Sequence, residues 1–170
     1  MLTFRPAVPA DLDVLAGLGA ETYRSHFAGI WSPQSLEGYI VREYGAEALA
    51  RSLAEPATSL WLLAVLDRAP IGFAKLNWDR TLPVAPATLG TELEKIYFRS
   101  DRVGAGHGAA MLREIAAIAR ARAPLLWLDV LKSNARARAF YERNGFTVIG
   151  EFPFATDLKE IGMFVMARDL

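Results

Sequence analysis

One stretch past the middle of the chain constrains the fold more than any other: a strand-like segment, a polar corner and a glycine-rich turn that leads into a helix. Residues 92–98 carry the β-branched and aromatic side chains of a buried strand. Residues 103–108 read Val-Gly-Ala-Gly-His-Gly, and the segment after them has apolar side chains at helical spacing. Strand, glycine turn and helix in this order form an anion site, because free N–H groups of the first helical turn and the helix dipole both favour negative charge. The pattern predicts a pyrophosphate site.

A glycine-rich turn of this kind can serve several purposes, and the sequence disfavours some of them. Gly-x-Gly-x-Gly also serves close packing of a helix on a strand, so the motif alone is weak evidence. A dinucleotide fingerprint normally lies in the first strand–helix unit, with an acidic residue about twenty positions later at a strand end. Here the motif comes late, and that distance falls in an Ala- and Arg-rich helix, which disfavours this alternative. A Walker-type loop is excluded, because neither Lys-Ser nor Lys-Thr follows Gly108.

The composition is that of one globular domain, which we expect to span residues 1–170. Nineteen basic residues balance nineteen acidic ones, so net charge does not indicate nucleic acid or an anionic membrane as a partner. The absence of cysteine excludes disulfides and a thiol nucleophile, and no metal site is predicted. The N-terminus lacks a signal-peptide pattern, and no apolar run approaches the ~18 residues of a membrane helix. We therefore expect a cytoplasmic protein.

Hydrophobic periodicity and turn signals predict strands and helices around one sheet, an α/β or α+β arrangement with hairpins as well as crossovers. The predicted strands are 2–4, 59–66, 71–78, 92–98, 125–131, 146–149 and 162–166. The predicted helices begin after Asp11, after Ser32, after the glycine turn and after Asn134. The segment 80–88 contains two prolines and is expected to be a loop.

A second constellation lies downstream, where the buried strand 125–131 leads into a helix capped by Asn134 and ended by Gly145. Helical spacing puts Tyr141 on the inner face of that helix, with a polar tip that needs a partner. A purely structural role would also account for each residue. Tyr141 could be a core tyrosine bonded to the backbone, and Asn134 could be a helix cap alone.

Together, the stretches 93–108 and 128–146 resemble the acetyl-coenzyme-A-binding motifs of the GNAT superfamily of N-acetyltransferases, and the order of elements along the whole chain is similar. Three further features resemble bacterial PaiA-type polyamine acetyltransferases: Ser32-Pro33 before a Tyr-containing helix, the segment 93–98 and the tail 166–170. The resemblance implies one GNAT-like domain with a central mixed, mostly antiparallel sheet of about seven strands and about four flanking helices.

The resemblance also implies acetyl-CoA as the cofactor, with coenzyme A as the product. In the family, the strand backbone pairs with the pantetheine arm, the turn amides hold the pyrophosphate, and residues of the later helix contact the cofactor and stand near its sulfur. The matching positions are Ile96, Tyr97 and Phe98 on the strand, Val103, Gly104, Ala105, Gly106, His107 and Gly108 in the turn, and Asn134 and Tyr141 in the helix. The family usually has Gln or Arg where Val103 stands, so a side-chain contact is lost. Arg102 is the candidate to replace it.

The implied reaction is direct attack of an amine on a thioester, which requires a base for the ammonium and an acid for the leaving thiolate. Tyr141, with an ordinary pKa of about 10, is the predicted acid. Glu92 and Glu94 are both candidates for the base, because alternation in a regular strand puts them on one face. A solvated or substrate-binding strand end explains both glutamates equally well. His26 is a further candidate, although a lone histidine in an aromatic segment is usually a packing residue, and His107 is expected to face solvent.

The acceptor is expected where the first helices meet the cofactor strand. Its predicted wall residues are Tyr23, His26, Phe27, Trp31 and Trp78. These rings could make cation–π contacts to an ammonium group, or they could be core residues. The function predicted is transfer of an acetyl group to the primary amine of a small, polyamine-like molecule. A peptide or protein N-terminus as the acceptor, and a catalytically silent acyl-CoA-binding sensor, are the alternatives. Family habit also suggests a homodimer.

Overall fold

A seven-stranded sheet organises the protein, and the computed structural model describes residues 1–170. In chain order, the elements are β1 (Leu2–Pro6), α1 (Leu12–Phe27), α2 (Pro33–Tyr44), α3 (Ala46–Leu53), β2 (Ser59–Leu66), β3 (Ala69–Leu82), β4 (Ala85–Phe98), α4 (His107–Arg120), β5 (Leu125–Leu131), α5 (Ala135–Arg143), β6 (Thr147–Phe152) and β7 (Met163–Asp169). The strand order across the sheet is β1-β2-β3-β4-β5-β7-β6. No helix is both long enough and apolar enough to cross a bilayer.

The sheet is antiparallel except between β4 and β5, and this one parallel pairing is very short. The two strands pair only at Thr91 with Leu126 and at Glu92 with Trp127. Beyond those pairs they diverge, so the end of β4 from Leu93 to Phe98 is held by β3 alone, with Glu94 unpaired, and its other edge is open. The predicted mixed, mostly antiparallel α/β fold is confirmed, and the divergence creates a gap in the middle of the sheet.

Helices cover both faces of the sheet, and the alternation of strand residues supplies a core to each. Leu62 and Phe146 belong to the core beneath α4. Leu63 and Phe73 belong to the core beneath α1, α2 and α3. Since consecutive strand residues point to opposite faces, neighbours such as Leu62 and Leu63 stabilise different layers.

The prediction that 80–88 is a loop is wrong. β3 and β4 continue to pair as far as Leu82 with Ala85, so this segment is the far end of a long hairpin. Register shifts interrupt the pairing there, and such irregularities tolerate proline within a strand. Burial supplies the stabilisation, because Leu82 is 2% exposed and packs with Trp127 in a third small core.

Candidate active site

A cavity of about 890 Å³ occupies the gap between β4 and β5. Its walls come from both diverging strands, the end of α1, the glycine turn and α5. This volume is within the usual range of small-molecule sites, and the position joins the two motifs that the sequence singled out. The cavity is therefore the candidate active site.

The glycine turn presents a row of free backbone donors to this cavity. Gly104 and Gly106 have φ angles of +94° and +81°, in the left-handed region that favours glycine. A Cβ atom at either position would meet no atom within 4 Å, so the space in front of the turn is open. None of the backbone N–H groups from 103 to 109 donates a hydrogen bond within the protein. Free donors at the start of α4 are the arrangement that binds a phosphate group.

Two residues of the turn have a different role from the one that their position suggests. Gly108 lies in α4, and a Cβ there would be 3.2 Å from the ring of Phe140, so this glycine lets α4 approach α5. His107 is half-buried rather than facing solvent as predicted. Its Nδ1 atom is 3.2 Å from the carbonyl oxygen of Arg102, which turns the imidazole back onto the turn. His107 is not among the residues that line the cavity, and its backbone N–H remains free for the predicted contact.

A bulge in β4 determines the positions and partners of the two glutamates that the sequence predicts as bases. Lys75 pairs with Lys95 and Leu76 pairs with Leu93, which leaves Glu94 between them without a partner on β3. The amide nitrogen of Asn77 donates to Glu92 at 2.8 Å and to Glu94 at 2.7 Å. The prediction that both carboxylates share a face is thus confirmed. The bulge also allows the ammonium group of Lys95 to contact the carboxylate of the adjacent Glu94.

Both glutamates already have cationic partners. The carboxylate of Glu94 lies 2.7 Å from the ammonium of Lys75 and also contacts Lys95. Burial by itself would raise the pKa of Glu94, but the charges of Lys95 and Lys75 hold it at about 2. Glu92 does not line the cavity, and its carboxylate is 3.4 Å from the guanidinium of Arg80. Glu94 is therefore a poor base at neutral pH, and Glu92 lies outside the cavity.

Asp129 is a site residue that the sequence reasoning missed. Its neighbours on β5, Leu128 and Val130, belong to the core beneath α4, whereas Asp129 lies on the opposite face of the strand and lines the cavity. The carboxylate has no hydrogen bond or ion pair within the protein. The Asp129 side chain is exposed to the open cavity, but loss of hydration to the surrounding protein atoms, followed by repulsion from Glu92 and Glu94, raises its pKa to about 6. The signal was visible as the one polar residue in the apolar strand Leu-Leu-Trp-Leu-Asp-Val-Leu.

α5 brings Tyr141 to the same cavity. The ring packs against Phe140 and Phe146, at centroid distances of 5.3 and 5.7 Å, and the hydroxyl has no partner within the protein. Burial, followed by the nearby Asp129 charge, raises the pKa of Tyr141, so the phenol stays protonated at neutral pH. Asn134 caps α5 by accepting from the N–H of Ala137 at 3.0 Å, and it also lines the cavity.

The family match decides what kind of protein this is. Residues 23–146 match the model of the acetyltransferase (GNAT) family. The chain belongs to the GNAT family. The predicted family and the predicted class of enzyme, an N-acetyltransferase, are therefore confirmed.

Among relatives of this GNAT chain, an uncharacterized N-acetyltransferase of Mycobacterium tuberculosis is 28% identical over 163 residues, covering 94% of this chain and 98% of the relative. A spermidine N(1)-acetyltransferase of Thermoplasma acidophilum is 27% identical over 142 residues, covering 81% and 83%. The PaiA N-acetyltransferase of Thermoplasma acidophilum, solved in complex with coenzyme A, shares the fold with a TM-score of 0.81 at 24% identity, over 100% of this chain and 99% of that one. A ribosomal-protein-alanine N-acetyltransferase of Brucella melitensis has a TM-score of 0.73 at 21% identity, over 99% of each chain. The GNAT fold alone thus does not identify the acceptor.

The structure brings most of the predicted cofactor positions together. Those that line the cavity of this GNAT domain are Ile96, Tyr97, Phe98, Val103, Gly104, Gly106, Gly108, Asn134 and Tyr141. Ala105 and His107 do not line it. Arg102 also lines the cavity, although its guanidinium is 3.2 Å from Asp101.

The predicted acceptor wall is only partly correct. His26 and Phe27 line the cavity, and the Nε2 atom of His26 is 3.3 Å from the Phe98 carbonyl oxygen. Tyr23 and Trp31 do not line it, because both pack on Tyr39 in the layer of α1 and α2.

The prediction for Trp78 is also wrong. Its ring lies in the core beneath α4, and its indole N–H donates to the carbonyl oxygen of Pro56 at 3.2 Å. Trp78 is not among the residues that line the cavity.

Proposed function

We propose that this GNAT protein transfers an acetyl group from acetyl-CoA to the primary amine of a small molecule by direct attack. One observation carries the proposal: an unpaired carboxylate, Asp129, and an unpaired phenol, Tyr141, line a single cavity that also meets the free donors of the glycine turn. A base, an acid and an anion site are the groups that such a transfer requires.

The residues present fit acetyl-CoA. The free N–H groups of 103–109 suit its pyrophosphate, and the open edge of β4 suits the amide groups of its pantetheine arm. When bound, acetyl-CoA supplies an activated acetyl thioester. The N–H groups of the open edge of β4 are the candidates to stabilise the negative charge that develops on the acyl oxygen.

Asp129 is the proposed base. An ammonium group with an ordinary pKa of about 10.4 must lose a proton before it can attack. A carboxylate with a pKa of about 6 is charged at neutral pH and is a much stronger base than Glu94, whose pKa is about 2. The freedom of Asp129 from ion pairs also favours it over Glu92.

Tyr141 is the proposed acid. Its raised pKa keeps the hydroxyl protonated, and the hydroxyl has no competing partner. It can therefore donate a proton to the sulfur as the C–S bond breaks, so that coenzyme A leaves as a neutral thiol.

Contacts between the β6–β7 loop and the start of α2 favour a small acceptor over a peptide. Asp157, between β6 and β7, accepts from the Ser32 N–H at 3.1 Å and from the Ser35 hydroxyl at 2.8 Å. Trp31 and Phe154 add an edge-to-face contact at 6.2 Å. We call these contacts the Asp157 latch. It joins the segment that follows Phe27 and Ile30 to the loop that precedes Met163, and we propose that it closes this side of the cavity to an extended chain.

The proposal is tested by thiol release from acetyl-CoA in the presence of a primary amine, with the N,N-dimethyl derivative of the same amine as the control. We expect release with the primary amine only, together with an acetylated product of the correct mass. Tight binding of acetyl-CoA without transfer to any primary amine would overturn the proposal and favour the sensor alternative.

A further inference from the structure

The charges beside the acceptor end of the cavity nearly cancel. Glu94 contacts both Lys75 and Lys95, and Lys95 also lies 3.2 Å from Glu43. The Lys95 side chain is only 3% exposed, so this group of charges is screened little by solvent. Glu94 lines the cavity, but its negative charge is already compensated.

The two other carboxylates near the cavity, Glu92 and Asp129, differ in whether a cation compensates their charge. Glu92 has Arg80 at 3.4 Å and a hydrogen bond from Asn77. Asp129 has no cationic partner, so it is the single uncompensated carboxylate of the cavity. The arginines that line the cavity are Arg102, directly before the glycine turn, and Arg136 and Arg143 on α5, on the side predicted for the cofactor.

The rest of the acceptor side is apolar or weakly polar. Phe27 and Ile30 from the end of α1, Leu131 from β5 and Met163 from β7 line it. A second ammonium group placed among these side chains would lose its hydration without gaining a carboxylate. An alkyl or aryl group there would instead gain apolar burial.

We infer that the acceptor carries one ammonium group on an apolar body, and that Lys75 enforces this selectivity by neutralising Glu94. This inference rests on the proposed function and narrows it. It departs from the polyamine-like acceptor that the family resemblance implied. Asp129 pairs with the reacting ammonium, and the apolar wall accepts the remainder of the molecule.

Hexylamine and cadaverine provide a matched test, because they have the same number of heavy atoms and differ in a terminal methyl against a terminal ammonium. We expect kcat/KM for acetylation of hexylamine to exceed that for cadaverine by about ten-fold. Equal or higher kcat/KM for cadaverine would overturn the inference and leave the proposed function intact. Thiol release with neither of these amines, nor with any other primary amine, would overturn the proposed function itself.

Substitution of Lys75 tests the cause of the selectivity. Lys75→Met removes the cation 2.7 Å from Glu94 and keeps an unbranched side chain against the Trp61 ring. We expect the ratio of kcat/KM for hexylamine to kcat/KM for cadaverine to fall by about three-fold or more. Arg51→Met, which removes a cation paired with Glu47 on α3, is the control and leaves the ratio unchanged. An unchanged ratio in Lys75→Met would contradict the role of Lys75.

Discussion

The carboxylate of Asp129 on β5 and the phenol of Tyr141 on α5 face one cavity, and the charge of Asp129 adds to burial in raising the pKa of the tyrosine. Asp129 itself has a pKa of about 6. At neutral pH the two residues therefore hold one charged carboxylate and one protonated phenol. Those are the protonation states that acceptance of a proton from an amine and donation of a proton to a thiolate require.

Replacing Tyr141 should separate catalysis from binding. Tyr141→Phe keeps the ring between Phe140 and Phe146 but removes the hydroxyl, so we expect kcat to fall by about ten-fold or more while the affinity for coenzyme A stays nearly unchanged. Steady-state kinetics and calorimetric titration measure the two quantities. An unchanged kcat would remove Tyr141 as the acid.

The pH dependence should identify the base. Because the pKa of Asp129 is raised to about 6, this carboxylate takes up a proton as the pH falls through that value and can no longer accept one. We expect kcat/KM to be lost below about pH 6 in the native protein. Asp129→Asn should lower kcat/KM by about a hundred-fold and abolish this acid limb.

Glu94→Gln is the comparison for that experiment. Since the pKa of Glu94 is about 2, this residue does not titrate in the measured range, and its substitution should retain the acid limb. An acid limb that persists in Asp129→Asn but disappears in Glu94→Gln would reassign the base to Glu94.

Substitution of a glycine in the turn should weaken the binding of coenzyme A, even where the new side chain meets no other atom. Gly106→Ala places a side chain at a φ of +81°, which costs roughly 1–2 kcal/mol and displaces the donors of the turn. We expect coenzyme A to bind about ten-fold more weakly. Gly17→Ala in α1, where a Cβ meets nothing within 4 Å, is the matched control. It should leave binding unchanged and stabilise the protein by about 0.5–1 kcal/mol. Equal affinities in the two variants would argue against a phosphate site at the turn.

Opening the Asp157 latch should widen the range of acceptors. Asp157→Ala removes both hydrogen bonds to the start of α2, so we expect kcat/KM for a short peptide N-terminus to rise by about three-fold or more relative to hexylamine. Glu160→Gln on the same loop is the control. If neither variant changes the relative rate, the latch does not restrict the acceptor.

Local signals in the sequence predicted much of the fold and part of the site. The strand, glycine turn and α4 follow each other directly, and Asn134 and Gly145 bound α5 by local chemistry, so these elements could be predicted from neighbouring residues. The hairpin at 80–88 could not, because Pro83 lies in the turn between β3 and β4 and Pro86 is accommodated by irregular pairing of the two strands.

The charge pattern of the site depends on long-range contacts that the sequence does not reveal. Glu94 is a weak base because the bulge places its carboxylate in contact with the ammonium groups of Lys75 and Lys95. Asp129 gains importance only because β4 and β5 diverge beside it. The place of Trp78 could not be predicted, because nothing in its sequence context tells which face of β3 packs beneath α4.

The most direct test of Asp129 and Tyr141 as base and acid is the amount of N-acetylhexylamine formed from acetyl-CoA and hexylamine, determined by mass spectrometry for the native protein and for the Asp129→Asn/Tyr141→Phe double variant. We expect many turnovers with the native protein. With the double variant, we expect the rate of product formation to fall by at least about a hundred-fold. Equal product from both proteins would contradict the assignment of Asp129 and Tyr141. Product at no more than the uncatalysed rate with the native protein would contradict acetyl transfer to this class of amine.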